Sequence, residues 1–271
     1  LDLLPQAWAA LAGAAAAPRT TRALAAAAEH LVRPDDGLVA LFAPPFDETP
    51  RDPGYIKSYP PGVRENGGQY THAAIWLAMA HARRGEGGKA AAILRLLNPV
   101  EHARQPAEAE RFRVEPYAVA ADVYTLPGRI GQGGWSWYTG SSGWMYRVWL
   151  EEVLGVQRTG DRLRLNPSVP ADWERYEVSY RYGETVYEIA VENPDHVEHG
   201  VVLVELDGEA AAGGEIVLRD DGGTHRVRVR MGAEASRADE DALPVENGGR
   251  QDTPHPLAPV PSLNRRNGFE H

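Results

Sequence analysis

At residues 59–72 the chain reads Tyr-Pro-Pro-Gly-Val-Arg-Glu-Asn-Gly-Gly-Gln-Tyr-Thr-His, a polar turn that leads directly into an Ala-rich helix. Arg64 carries a planar fork that binds phosphate or carboxylate, and Glu65 and Asn66 offer hydrogen bonds to sugar hydroxyls. His72 stands in the first turn of the helix, where its ring is able to donate to a phosphate oxygen. Structural roles are the alternatives. Arg64 would then hold the loop in place, Glu65 and Asn66 would form the turn before Gly-Gly, and His72 would bridge two helices.

A second loop runs into a helix at residues 133–140, which read Gly-Gly-Trp-Ser-Trp-Tyr-Thr-Gly. The first N–H groups of a helix have no partner inside it and carry the positive end of its dipole. Thr139 and Gly140 therefore stand where an oxyanion binds well. Trp135, Trp137 and Tyr138 lie in the Gly-flanked loop before them, which favours a platform that stacks on a sugar ring. The alternatives are an ordinary Ser/Thr helix cap and aromatic residues that pack in the core.

Further candidates for contacts with a sugar lie in the loops around these two junctions. They are Tyr59, Glu115, Tyr117 and Gln132. Together the two junctions predict a site that holds an oxyanion against a stacked pyranose ring, provided that the fold brings them together. Hydrolysis by water is an alternative that requires two inward-facing carboxylates, and Glu65 and Asp122 are the pair that the sequence offers.

The bulk composition excludes several classes of function. The 271 residues carry a formal net charge of −10, with 38 acidic against 28 basic side chains, which argues against a nucleic-acid partner. No apolar run approaches the ~18 residues of a membrane span, so we expect no membrane segment. The chain has no cysteine and nine scattered histidines, so we expect neither a metal nor another cofactor. The lack of cysteine and of a basic leader fits a cytoplasmic protein.

Hydrophobic periodicity divides the chain into three regions. Residues 1–155 read as helices joined by long loops, because apolar residues recur at helical spacing. Residues 156–231 alternate apolar and polar positions around Gly-containing turns, which predicts a small antiparallel β domain of the sandwich type. Residues 232–271 are rich in Ala, Glu, Asp and Pro with little periodicity, which predicts a disordered tail.

These segments together resemble glycoside hydrolase family 94, the inverting disaccharide and oligoglucan phosphorylases. The similarity extends to the C-terminal portion of cyclic β-1,2-glucan synthases and to β-1,2-oligoglucan phosphorylases. The matching stretches run in order along the chain: 35–38, 44–47, 52–57, 59–72, 97–99, 114–117, 121–124, 133–146 and 180–183. The resemblance implies a mainly α fold, the C-terminal half of an (α/α)6 barrel followed by the small β domain.

The resemblance also implies an enzyme that transfers a glucosyl unit from a β-glucoside or β-glucan to inorganic phosphate as co-substrate. By the family pattern, His72, Thr139 and Gly140 contact phosphate, while Tyr59, Arg64 and Glu65 line the sugar subsites. The general acid of the family lies in an Asp-Trp-Asn-Asp-Gly-like segment, which is absent from this chain. We therefore expect a C-terminal fragment that is inactive alone.

Two expectations about partners follow from the fragment interpretation. Half a barrel leaves an apolar face, which favours a homodimer or association with a missing N-terminal half. A carbohydrate-binding or assembly module without catalysis is the alternative function, and an assay for glucose 1-phosphate separates it from a phosphorylase.

Overall fold

Ala-rich helices form the N-terminal part of the structure, a computed structural model that describes residues 1–137 and 140–233. The α-helices are α1 (Leu3–Leu11), α2 (Ala17–Leu31), α3 (Thr71–Arg83), α4 (Gly87–Leu96), α5 (Pro99–His102), α6 (Pro106–Phe112) and α7 (Gly140–Arg147). Short 3-10 turns cover Gly54–Ser58 and Ala212–Gly214, and a π-helical turn, Val148–Val153, continues α7.

Helix α3 is the central helix of this part, because most of its surface is covered by other helices. Five of its buried residues are alanines, and their small side chains let α1, α4 and α7 approach closely. Leu77 and Ile75 are fully buried beside them. The segment after His72 was predicted to be a helix with one apolar face. The helix is instead buried on most of its sides.

Two long loops contain only short strands. The strands β1 (Val32–Arg33) and β2 (Leu38–Val39) pair with each other, as do β3 (Gln69–Tyr70) and β4 (Asp122–Val123), both antiparallel. The loop at 33–68 holds seven prolines, which lack the N–H that a helix needs. These segments satisfy their backbone groups through such small ladders and through side-chain hydrogen bonds.

The prediction of a mainly α fold with half of an (α/α)6 barrel is wrong. The structure is only 35% helical, and no clear barrel is evident among the described residues. The physical reason is the Pro- and Gly-rich composition of the loops at 33–68 and 113–137, which leaves few helices long enough to alternate in a barrel. Helices α5 and α6 have only four and seven residues.

Two β-sheets form the C-terminal part. Their strands are β5 (Val156–Thr159), β6 (Arg162–Leu165), β7 (Arg175–Tyr182), β8 (Thr185–Glu192), β9 (Val201–Leu206), β10 (Glu209–Ala210), β11 (Glu215–Val217) and β12 (Thr224–Met231). One sheet has the order β10-β9-β12-β8-β7, and the other has the order β11-β6-β5. Tyr187, Ile189 and Val229 of the larger sheet share a hydrophobic core with Leu163 and Ile216 of the smaller one.

The prediction of a purely antiparallel β domain is also wrong, because β12 runs parallel to β8. Strand β12 lies between β8 and β9 and is antiparallel to β9. Since β8 and β9 run in opposite directions, a strand between them must be parallel to one of them. The hairpin of β7 and β8 around Gly183 is antiparallel, as its turn signal indicates.

The helices and the sheets are held together by a shared core. The contacts group Leu1–Ala235 into one unit, and the division into 1–155 and 156–231 stays a prediction. The predicted tail, 232–271, lies outside the described residues from position 234 onward. Among the described helices, none has the length and apolarity that crossing a membrane requires.

Candidate functional site

The β3–β4 ladder brings the two predicted loops side by side. Gln69 pairs with Val123, and Tyr70 pairs with Asp122. Val123 also forms a bridge with Gly133 on its other side. The segments around residues 70, 122 and 133 therefore form three adjacent strands of backbone, and the start of α3 lies next to the loop that leads to α7.

The turn before α3 is held rigid by Asn66. This side chain is fully buried. Its Oδ1 accepts a hydrogen bond from the Phe46 N–H, and its Nδ2 donates to the carbonyls of Phe46 and Tyr59, each at 2.8 Å. Gly67, with φ of +84°, lies so close to Pro45 that an added Cβ would stand 2.7 Å from the Pro45 Cβ. Asn66 therefore builds the turn that presents its neighbours.

Three of the predicted sugar-site residues lie together on this turn. The Arg64 guanidinium lies over the Tyr59 ring, 5.4 Å from its centroid. Arg64 Nε is 3.6 Å from Glu65 Oε2, a distance at which the charges attract but no hydrogen bond forms. Arg64 has a φ of +49°, a strained conformation for a residue with a side chain. Such a backbone conformation persists where the surrounding structure holds the residue in place.

Asp122 is a buried carboxylate next to this group. It is 3% exposed, and its Oδ1 accepts a hydrogen bond from the Trp135 N–H at 2.8 Å. Burial raises the pKa of Asp122, while the Trp135 N–H and the charge of Arg64 oppose that rise and Glu65 adds to it. From the sequence, Asp122 is expected only as half of a hydrolytic pair of carboxylates. A carboxylate in the apolar run 118–123 was the signal that it is buried.

His72 and Gly140 lie in contact. A Cβ on Gly140 would stand 2.9 Å from His72 Nε2. The imidazole stacks on Tyr70, with ring centroids 5.2 Å apart, and meets the edge of Trp76 at 5.9 Å. Nδ1 is buried and has no hydrogen-bond partner among the residues that the structure describes. Burial lowers the pKa of His72, so the ring is neutral at pH 7 and has one N–H. The third predicted phosphate ligand, Thr139, lies outside the described residues.

Exposed aromatic rings surround Glu115. Its Oε1 accepts from the Trp137 indole N–H and its Oε2 from the Ser136 hydroxyl, each at 3.0 Å. The Trp137 hydrogen bond is the main reason that the pKa of Glu115 is lowered. Tyr117 packs edge-on against Trp137 at 6.0 Å, and Trp135 is 58% exposed. The predicted residues Glu115, Tyr117, Trp135 and Trp137 thus share one surface, and Tyr138 of the predicted platform lies outside the described residues.

Gln132 lines a cavity next to the loop of the aromatic residues. It lines an open cavity of about 280 Å³ together with Arg111, Arg113 and Arg129, and none of the other candidates is among its described lining residues. Its backbone N–H donates to the Arg129 carbonyl.

The described residues give no indication of a metal centre. In the ranges 1–137 and 140–233, no group of three His, Asp or Glu side chains could hold a metal ion. The chemical groups of the site are a neutral imidazole, the start of α7, one arginine, the buried carboxylate of Asp122, the partly exposed carboxylates of Glu65 and Glu115, and exposed indole rings.

Family models match two parts of the chain. The model described as the glycosyl hydrolase 94 superfamily, catalytic domain, matches residues 1–155. A second model, of a family of unknown function, matches residues 182–262. The first match contains the His72–Gly140 junction, the turn with Arg64 and Glu65, and the aromatic surface around Glu115.

Relatives of known name extend the similarity into the β-sheets. Cyclic beta-(1,2)-glucan synthase NdvB of Rhizobium meliloti (strain 1021) is 46% identical over 204 residues, or 75% of this chain and 7% of that protein. N,N'-diacetylchitobiose phosphorylase of Vibrio proteolyticus is 34% identical over 82% of this chain and 27% of its own. Solabiose phosphorylase of Paenibacillus borealis is 30% identical over 83% and 29%. The chain spans less than a third of each of these relatives.

The resemblance stated from the sequence is confirmed by these comparisons. The catalytic-domain model covers more than half of the 271 residues, and two of the relatives named above are phosphorylases. The chain therefore belongs to the glycosyl hydrolase 94 superfamily, of whose catalytic domain it carries a part.

Proposed function

We propose that this chain carries the phosphate- and sugar-binding part of a phosphorylase that cleaves β-glucosidic bonds with inversion. The observation that carries the proposal is the contact between His72 Nε2 and Gly140 at the start of α7. A neutral imidazole N–H and the positive dipole end of a helix start suit a phosphate oxygen. Membership of the superfamily supports the same assignment.

In the proposed reaction, a phosphate oxygen attacks the anomeric carbon of the sugar from the face opposite the leaving group. The bond from the anomeric carbon to the glycosidic oxygen breaks, and the leaving oxygen takes a proton from a general acid. Phosphate thus occupies the place that water has in an inverting hydrolase. His72, Gly140 and Thr139 hold the phosphate, and the products are a sugar 1-phosphate and the shortened glycan.

The sugar is proposed to contact Tyr59, Arg64, Glu65 and the aromatic surface of Trp135. Glu65 keeps part of its side chain exposed, so it is able to accept hydrogen bonds from hydroxyls. The indole of Trp135 is exposed and supplies a stacking face. The general acid is proposed to lie outside these 271 residues, either in an N-terminal half or in a partner chain, so the isolated chain binds ligands without turnover.

A phosphate titration of the chain tests this function. The imidazole signals of His72 should shift as inorganic phosphate saturates, because Nε2 gains an acceptor. His225 serves as an internal control, since both of its ring nitrogens already face Asp207 and Asp221. Unmoved His72 signals at saturating phosphate would rule out the phosphate site.

A second candidate function is a glycan-binding module without catalysis. The exposed surface of Tyr117, Trp135 and Trp137 favours it, because stacked aromatic rings bind sugars whether or not phosphate is present. Calorimetric titration with a β-1,2-glucan oligosaccharide distinguishes the two. Phosphate should change glucan affinity in a phosphorylase site and leave it unchanged in a simple binding surface.

A further inference from the structure

Asp122 is a buried carboxylate that the proposed reaction does not use, although it lies between the two loops of the site. Its Oδ1 accepts from the Trp135 N–H. Its Oδ2 is buried and lacks a hydrogen-bond partner among the residues that the structure describes. A carboxylate oxygen that is buried without a donor costs free energy. A retained group of this kind calls for a functional explanation.

The charges around Asp122 belong to the proposed sugar ligands. Arg64 and Glu65 both act on the Asp122 carboxylate through their charges. Glu65 also keeps one oxygen, Oε2, buried without a hydrogen bond, 3.6 Å from Arg64 Nε. Two carboxylates therefore compete for one guanidinium. Asp122 attracts Arg64 and repels Glu65.

The backbone next to Asp122 is shaped to admit its carboxylate. A Cβ on Gly134 would stand 2.2 Å from Asp122 Oδ2, so only glycine leaves room for that oxygen. Trp135 follows directly and is held by Oδ1. On the other side, Asp122 pairs with Tyr70, whose ring stacks on His72. Asp122 therefore contacts the loop of the stacking indole with its side chain and pairs through its backbone with the residue that stacks on His72.

We propose that Asp122 is the positioning residue of the sugar-binding site, which sets the Trp135 loop by a hydrogen bond and the Arg64 and Glu65 side chains by charge. This inference rests on the proposed function, because it takes these three residues to contact the sugar. Asp122 itself is too deeply buried to touch a ligand. Burial of its negative charge costs free energy of folding. In this proposal the charge is present because it orders the groups that bind the sugar.

The variant Asp122→Asn separates the effect of the Asp122 charge from the effect of its hydrogen bond to Trp135. Asparagine keeps an oxygen for the Trp135 N–H and removes the charge. Affinity for a linear β-1,2-glucan oligosaccharide, measured by calorimetry, should fall by about tenfold. The His72 shift with phosphate should persist, and the urea midpoint of unfolding should stay the same or rise, because a buried charge is gone. Asp161→Asn, at an exposed turn between β5 and β6, should change none of these.

A second variant tests the hydrogen bond. In Asp122→Ala the Trp135 amide loses its acceptor, so its hydrogen exchange should accelerate, whereas Asp122→Asn should keep the protection of the wild type. Equal glucan affinity of wild type and Asp122→Asn would overturn the positioning role alone. A lower urea midpoint together with the loss of phosphate binding in Asp122→Asn would make Asp122 a structural residue. A wild type that binds no glucan would overturn the proposed function and this inference together.

Discussion

Gly140 lies against the imidazole of His72, so closely that a Cβ on Gly140 would stand 2.9 Å from Nε2. Gly140 begins α7, and His72 is the second residue of α3. The contact therefore joins the starts of two helices, where the positive dipole ends lie. This arrangement makes position 140 the most direct test of the phosphate site.

The variant Gly140→Ala should weaken phosphate binding without unfolding the chain. A methyl group at this position displaces the His72 ring, which is a side chain that can move, so the affinity for inorganic phosphate should fall by about tenfold. Gly143→Ala is the matched control, because it lies in the same helix and its Cβ would meet nothing within 4 Å. That control should bind phosphate normally and gain about 0.5–1 kcal/mol of stability. Equal phosphate affinity of the two variants in NMR titrations would contradict the prediction.

His72 should make the chain less stable in mild acid. Burial lowers the pKa of its ring from 6.5 in the folded state, so the unfolded chain binds the proton more tightly. Stability is therefore highest at neutral pH and falls as the pH drops below 6.5. The variant His72→Gln lacks this titration, and its free energy of unfolding should decrease less between pH 7 and pH 5. Urea unfolding across this range measures the difference, and parallel curves for both proteins would exclude it.

The local pattern of residues predicted where a single helix begins better than it predicted how the helices and strands are arranged. The apolar spacing after His72 is a property of one helix, and α3 forms there. Closure of helices into a barrel depends on contacts between distant segments, which no local pattern records, and that prediction failed. The position of β12 between β8 and β9 has the same origin. Alternation identifies a strand but does not give its neighbours.

In the candidate site, too, the sequence did not predict contacts between residues that lie far apart along the chain. Arg64 and Glu65 are adjacent in sequence, so their proximity was expected. The interaction of both with Asp122 depends on the two-residue ladder of β3 and β4, which is too short to leave a periodic signal. Gln132 lines a cavity whose described lining holds none of the other candidates, which the sequence did not indicate. Side-chain direction in a Gly-rich loop is set by backbone angles that the sequence leaves open.

Glu86 should stabilise the start of α4 down to low pH. Burial alone would raise its pKa, but hydrogen bonds from His81, Lys89 and Arg84 lower the pKa to about 2. Its contribution is therefore present above pH 4.5 and is lost as the pH falls through about 2. Glu86→Gln should cost about 1–2 kcal/mol at pH 7, and the cost should shrink in acid. Chemical denaturation at pH 7 and pH 3 measures both values, and a constant difference would contradict the mechanism.

The ion pair of Arg83 and Glu152 should contribute strongly to the stability of the contact between α3 and the π-helical turn. Arg83 Nη2 and Nε donate to Glu152 Oε1 at 2.7 and 2.9 Å, and the Glu152 side chain is only 8% exposed. Arg83→Ala leaves a buried charge without this partner, so it should cost about 3 kcal/mol. Arg147→Ala removes the neighbouring, more exposed pair with Glu151 and should cost only about 0.5 kcal/mol.

A double-mutant cycle isolates this pair from the packing around it. Glu152→Leu combined with Arg83→Met replaces both charges with apolar groups of similar size, so the double variant should recover most of the loss seen in Arg83→Ala. The recovery follows because the penalty comes from an unpaired buried carboxylate rather than from a missing attraction. Urea unfolding of the wild type, the single variants Arg83→Met and Glu152→Leu, and the double variant gives the coupling energy. A double variant as unstable as Arg83→Ala would mean that shape, and not charge, joins these two elements.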